Sequence, residues 1–442
     1  MDALFLCPPP LPNPWNARKI RQDCRGDETA IAGNLSESFS PVFPDLHSQT
    51  KMKIALAFSG GGVRATVFHL GVLARLARED LLGNVHMISS VSGGSLAAGL
   101  VFSATNNRWP SSSEYLHEVV PKILHLLTTQ NLQRSYVIKS LMFPWQILSG
   151  RAAVLGDELE RRWQIQGELA DLPESPRWLI NATCYQTGKN WRFQRDLMGD
   201  YQTKYIVDPK LRLSHALAAS AAVPGLIGPL IVKAKHHRWK EMRGDQWHSI
   251  PAKYKRLHLW DGGVYDNLGV EALFKPGIGL VDGTDFLIVC DASRPLGSES
   301  RRSKWRPGYL KASMRLVDVA TDQVRSLRAR MLIDHFKKNP GSGAYLRLGL
   351  KSKRATLRVH GAGEDNANGS GIRESHWTEQ PSLTDDEVDR VSRIETTLRR
   401  LNHQEFSLLF RHGYEVANGT LARYGGESLE KVPRNRVLLR AA

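Results

Sequence analysis

Ile54-Ala-Leu-Ala-Phe58-Ser59-Gly60-Gly61-Gly62-Val63-Arg64 runs a short apolar segment directly into a serine and three glycines. From Val63 to Arg78, Val67, Leu70, Leu73, Ala74 and Ala77 then recur at helical spacing. The pattern is a strand, a glycine turn and a helix. It is repeated by Val85-His-Met-Ile-Ser-Ser-Val91, the turn Ser92-Gly93-Gly94 and the small, apolar run from Ser95 to Phe102. Two such units in tandem predict a parallel sheet in an α/β fold. Further strands are expected at Trp178–Ala182, Trp191–Phe193, Leu257–Trp260 and Phe286–Cys290. A close-packed helix of small residues is expected over His215–Pro224, stopped by its proline.

Past Asp291 the chain turns helical and basic. Leu310, Met314, Val317, Ala320, Val324, Leu327 and Met331 form an apolar stripe, with Arg315, Arg325, Arg328 and Arg330 mostly off it. The spacing predicts a packed helix whose basic side faces solvent. A capping box, Thr384-Asp-Asp-Glu387, opens a later helix expected to continue through Val388, Val391, Ile394, Leu398 and Leu401. Residues 361–380, rich in Gly, Asn and Ser, read as a loop between the two. Residues 1–50 read as an irregular leader, rich in Pro, Ser, Asp and Asn. The expected organisation is this leader, an α/β domain over 51–295, and a mostly helical C-terminal extension over 296–442 packed on it. Tyr136-Val-Ile-Lys-Ser-Leu-Met-Phe-Pro-Trp145 is apolar and aromatic, and it reads as core ahead of an acyl channel or a membrane-dipping segment.

Of 442 residues, 41% are hydrophobic and 24% charged, an ordinary globular balance that excludes wholesale disorder. Cys7, Cys24, Cys184 and Cys290 lie far apart with no CxxC, which excludes a disulfide framework or zinc ribbon and fits a reducing compartment. No apolar run reaches the ~18–20 residues that span a bilayer. The start, Met1-Asp-Ala-Leu-Phe-Leu-Cys-Pro-Pro-Pro10, lacks the basic region of a secretory signal. A cytoplasmic protein that touches membranes from outside is expected. The net charge of +16 favours an anionic partner, either nucleic acid or an acidic lipid surface. No recognisable nucleic-acid module and no aromatic-interleaved basic run accompany it, so nucleic acid is not expected as partner.

Ser92 is the foremost chemical candidate. A serine between an apolar strand and a Gly-Gly helix start stands where a nucleophile elbow holds its hydroxyl clear of the sheet, with helix N–H groups near developing negative charge. Ser90, Ser92 and Gly94 give S-x-S-x-G, with serine where glycine is usual; alone, the pentapeptide also reads as an ordinary turn with a capping serine. Gly60, Gly61 and Gly62 leave backbone N–H groups free to face an anion, which suits an oxyanion hole or a phosphate cradle. Neither G-x-G-x-x-G nor a P-loop follows, so a nucleotide is disfavoured. Arg64 is placed to brace this loop, to meet an anionic headgroup or to form a structural ion pair. Asp261-Gly262-Gly263 ends a strand; alone it signals a hairpin, but a strand-end aspartate beside the elbow can also serve as base. His69, His86, His215 and His258 compete for that role, and their spacing selects none. No metal site is expected, since no His-Glu-x-x-His occurs.

Together these motifs resemble the patatin-like phospholipases. The resemblance rests on Ser59-Gly-Gly-Gly-Val-Arg64, a serine elbow about thirty residues on, and Asp261-Gly-Gly263, in that order. Phe68-His-Leu-Gly71, Asn181-Ala-Thr183 and Ala218-Ala-Ser-Ala-Ala-Val-Pro224 are similar to further landmarks of that family, and the likeness covers residues 53 to about 295. It implies a three-layer α/β fold with a central, mostly parallel sheet. It also implies a lipid acyl hydrolase with a Ser92–Asp261 dyad, an acyl-serine intermediate, oxyanion donors among Gly60 to Gly62, and no cofactor. Phospholipid or another acyl lipid is then the expected substrate, and an anionic membrane the expected surface. An acyltransferase or a silent lipid-binding protein on the same fold is the alternative.

Overall fold

The computed structural model describes residues 52–142, 150–281, 283–293, 309–351 and 382–424. Its strands are β1 (Ile54–Phe58), β2 (Val85–Val91), β3 (Arg177–Cys184), β4 (Lys189–Phe193), β5 (Leu197–Asp200), β6 (Lys204–Val207), β7 (Leu230–Lys233), β8 (Trp239–Arg243), β9 (Gln246–Ile250), β10 (Arg256–Asp261), β11 (Phe274–Lys275), β12 (Gly279–Leu280), β13 (Phe286–Asp291) and β14 (Gly343–Arg347). The helices that shape the site are α1 (Gly62–Arg78), α2 (Gly93–Ala104), α3 (Arg151–Trp163), α4 (Leu213–Ser220), α5 (Tyr309–Lys338) and α6 (His403–Tyr424).

The main sheet runs β14-β13-β1-β2-β3-β4-β5-β6-β8-β9, and its centre from β14 to β3 is parallel throughout. Strands buried on both faces read as unbroken apolar runs, which is why β1 and β13 were legible. Alternation along β1 sends Ile54, Leu56 and Phe58 into one apolar core with α1, α2, α4 and α6. Ala55 and Ala57 point the other way, into a second core that includes Ala329 and Leu332 of α5. The result is three layers, helices over both faces of the sheet. Antiparallel strands extend it past β3, and β10 pairs with β3 and β7. All four further strands expected from the sequence are present, and the small-residue helix is α4.

Three expectations are corrected. The stripe on α5 does not pack: Val317, Val324, Leu327 and Met331 are 46, 38, 55 and 42% exposed. Arg325 instead turns inward to pair with buried Asp291 at 2.7 Å, and Arg328 lies 3.7 Å from buried Asp266. Leaving a buried carboxylate unpaired costs about 3–5 kcal/mol, more than the ~1.5–3 from burying one aliphatic side chain, so the ion pairs set the helix rotation. The capping box at Thr384 is present, but its helix ends at Arg393, before Ile394, Leu398 and Leu401. In the Tyr136–Trp145 segment, Tyr136 is buried while Leu141 and Met142 are exposed, so the core reading fails there. Residues 143–145 of that segment, the leader and the 361–380 loop lie outside the described residues.

Candidate active site

Ser92 sits between the end of β2 and the start of α2 with φ 50 and ψ −117. This is a sparsely populated conformation for a side-chain-bearing residue, and it is the geometry of a sharp strand-to-helix turn. Gly93 is required by close approach: a Cβ there would lie 2.3 Å from Gly62 O, so the elbow and the glycine loop touch backbone to backbone. Gly60 approaches from the other side, where a Cβ would come 3.2 Å from Ser92 Cβ.

A chain of buried hydroxyls backs the elbow. Trp178 Nε1–H donates to Ser90 Oγ at 2.8 Å, Ser90 Oγ meets Ser95 Oγ at 2.9 Å, and Ser95 Oγ meets Ser220 Oγ at 2.8 Å. Ser220 donates its one proton to Asn181 O at 2.7 Å, so Ser95 must donate to Ser220 and Ser90 to Ser95. The Ser92 N–H also donates to Ser220 Oγ, at 3.0 Å. Serine in place of the usual glycine at position 90 is therefore a hydrogen-bonding member of the elbow. Ser95, three residues on, lies inside α2 with its hydroxyl tied into this chain.

Asp261 ends β10 opposite Ala182 of β3, one residue beyond the Val91–Asn181 pair, which brings it level with Ser92. The following glycines enter a short helical turn, Gly263–Asp266, so the hairpin alternative is not what forms. Asp261 Oδ1 accepts from Gly263 N–H at 2.7 Å, and the neighbouring Ser92 side chain favours the ionised form of the same carboxyl group. Burial pushes the Asp261 carboxyl up to about 6, against the opposing pull of Gly263 N–H and Ser92.

The glycine loop is strapped at both ends. Gly60 N–H donates to Asn267 O at 3.0 Å, and Val63 N–H to Thr397 O at 2.9 Å. Between these tethers lie the amides of Gly61 and Gly62, at the N-terminus of α1. Gly60, counted among the oxyanion candidates, thus has its N–H engaged by Asn267. Arg64 is fully buried and donates to Ile394 O at 2.8 Å and Ala292 O at 3.1 Å. It braces the loop, the first of the roles that the sequence left open for it. Asn267, Ser220 and Thr397 escaped the sequence reading, because each acts through a backbone or hydroxyl contact that no local motif records.

The competing histidines are held elsewhere. His69 Nε2 is 3.0 Å from Ser59 O, His86 bonds Thr284, His215 bonds Asp157 and Arg212, and His258 bonds Gln186. Burial lowers His69 to about 4, so it is neutral near pH 7. No group of three or more potential metal ligands occurs among the described residues. Nor does any helix among them have the length and apolarity to cross a membrane.

The family model described as patatin-like phospholipase matches residues 56–274. A patatin-like phospholipase domain-containing protein of Neurospora crassa is 25% identical over 272 residues, 58% of this chain and 28% of that protein. A protein of the same description from Aspergillus niger is 25% identical over 271 residues, 58% of this chain and 32% of its own length. The chain thus matches about a third of the length of these curated relatives. Among solved structures, human GIVD cytosolic phospholipase A2 aligns over 86% of this chain and 60% of its own, with 15% identity and a TM-score of 0.49.

Proposed function

Since residues 56–274 form a domain of the patatin-like phospholipase family, we propose that the chain hydrolyses acyl esters of lipids with Ser92 as nucleophile and Asp261 as base. The observation that carries this reading is the placement of Ser92, at the turn after β2, level with the buried Asp261 carboxyl group at the end of β10, while the four candidate histidines are bonded elsewhere. A carboxyl near 6 is ionised at neutral pH yet more basic than an exposed aspartate, which is what a two-residue mechanism needs.

Ser92 Oγ attacks the ester carbonyl carbon as its proton passes to Asp261. The oxyanion of the tetrahedral intermediate is met by the Gly61 and Gly62 amides and the positive end of α1. Collapse breaks the ester bond; the departing alkoxide takes the proton from Asp261 and leaves an acyl-Ser92. Water then attacks the acyl carbon and gives a proton to Asp261. Breakdown returns that proton to Ser92 Oγ and releases the fatty acid.

Ser92→Ala removes the nucleophile and should lower turnover of a soluble acyl ester by about 10⁴-fold or more, with thermal unfolding unchanged. A fluorophosphonate probe should label wild type at Ser92 and leave the variant unlabelled. Labelling at Ser95, or turnover surviving in Ser92→Ala, defeats the assignment. Mass spectrometry of the products separates hydrolysis from transfer: free fatty acid supports the proposal, and a new acylated alcohol replaces it with an acyltransferase.

A further inference from the structure

Lys233, Lys235, Arg238, Lys253, Lys255 and Arg256 are all exposed around one open cleft of about 990 Å³, whose lining contains no carboxylate. None of the six has an ion-pair partner among the described residues. This contrasts with α5, where Arg325 and Arg328 are already paired with Asp291 and Asp266. Six cations without an ion-pair partner among the described residues are therefore gathered at this one cleft. Six like charges around one cleft repel one another, and an anion in it relieves that repulsion.

The cleft's position relates it to catalysis. β7 and β10 pair antiparallel, with Arg256 opposite Lys233, and β10 ends at Asp261. Five residue steps of ~3.4 Å place the cleft about 17 Å from the base along β10. Because β10 pairs with the end of β3 that overhangs β2, this strand pair projects from the same edge of the sheet that carries Ser92. Leu226, 62% exposed, precedes β7 at the dyad end. Next to it, Tyr136 Oη donates to Ile227 O at 3.1 Å and tethers the helix that exposes Leu141 and Met142. Exposed apolar side chains near the dyad and unpaired cations beyond it match a lipid surface, whose interior is apolar and whose headgroups are charged.

We propose that this cleft docks the phosphate-bearing headgroups of an anionic phospholipid surface and so presents the Ser92 edge of the sheet to it. The proposal rests on the lipid-hydrolase reading above, but its test does not. Full-length protein is sedimented with vesicles of phosphatidylcholine alone or mixed with phosphatidylserine, beside a Lys235→Gln, Arg238→Gln, Lys255→Gln variant. All three positions are exposed, so unfolding temperature should not move. Wild type should prefer the mixed vesicles and release from them as salt shortens the screening length from about 10 Å at 0.1 M to about 3 Å at 1 M. The variant should lose roughly fivefold in affinity per charge, on the order of a hundredfold in all. Its turnover of a soluble ester should equal wild type; loss of that turnover in wild type defeats the hydrolase reading and leaves the docking result standing. Equal sedimentation of variant and wild type overturns the proposal. So does wild-type binding to inorganic pyrophosphate or duplex RNA, sensitive to the same substitutions, without a preference for phosphatidylserine.

Discussion

Ser92 holds a strained backbone conformation, of a kind that costs about 1–3 kcal/mol and persists only where its surroundings over-determine it. Ser220 is the residue that does this for both halves of the pair. Its Oγ accepts from Ser92 N–H, and its carbonyl accepts from Gly262 N–H, the residue after Asp261. Ser220→Ala removes the first contact and keeps the second. It should lower kcat by roughly tenfold to a hundredfold with KM little changed, as expected when orientation and not binding is lost. A KM effect without a kcat effect would contradict that role. Asp261 shows the opposite economy: the ionised form that its proposed role as base requires is the one that burial disfavours. Its carboxyl is raised to about 6 by burial, so the unfolded chain, with a carboxyl near 4, ionises first. The stability that the protonated form contributes is complete below about pH 4 and disappears as pH rises through 6. Asp261→Asn should therefore be about 2–3 kcal/mol more stable than wild type at pH 7, with the gap closing by pH 4, as read by denaturant titration at both. Wild-type kcat/KM should rise with pH around 6. Ser92 and Asp261 were legible because strand, turn and helix each leave a local pattern. Ser220 was not, because its two contacts lie 128 and 42 residues away along the chain.

At the scale of elements, the strand–turn–helix units were legible for a plain reason: a strand buried on both faces needs an apolar run, and a turn packed against another backbone needs glycine. The orientation of α5 was not. An amphipathic stripe states which residues could be buried together, but Asp266 and Asp291, which decide the rotation, come from other parts of the chain. The two readings make opposite predictions. Arg325→Ala strands Asp291, which among the described residues then keeps Tyr345 Oη and Ser293 N–H as donors, and should cost about 3 kcal/mol or more in chemical denaturation. Leu327→Ser removes a stripe residue that is 55% exposed and should stay within about 0.5 kcal/mol of wild type. A large loss at Leu327 and none at Arg325 would restore the packed-stripe expectation.

At the scale of the whole molecule, the family match ends at residue 274, yet the layers do not. β13 lies beside β1, β14 extends the parallel sheet beyond it, and α6 packs on α1 so closely that a Cβ on Gly413 would sit 2.1 Å from Phe68 O. The same C-terminal part reaches the candidate site. Ile394 O and Thr397 O accept from Arg64 and from Val63 N–H, one on each side of the loop's exit into α1. The sequence reading placed this part as a helical extension packed on a catalytic domain that ends near 295, since nothing local marks Gly343–Arg347 as a strand of that domain's own sheet. A chain ending at residue 293 tests the difference. It would expose the edge of β13 and the face of α1 that Leu409, Val416 and Ala417 now cover, and it would remove the Ile394 and Thr397 carbonyls that hold Arg64 and Val63. Three buried aliphatic side chains alone are worth several times about 1–3 kcal/mol, a large part of the ~5–15 kcal/mol that holds a domain together. The shortened chain should therefore lack a cooperative thermal transition and should not react with a fluorophosphonate. A soluble fragment that unfolds cooperatively and labels at Ser92 at the wild-type rate would show instead that the C-terminal part is an accessory to a self-sufficient catalytic domain.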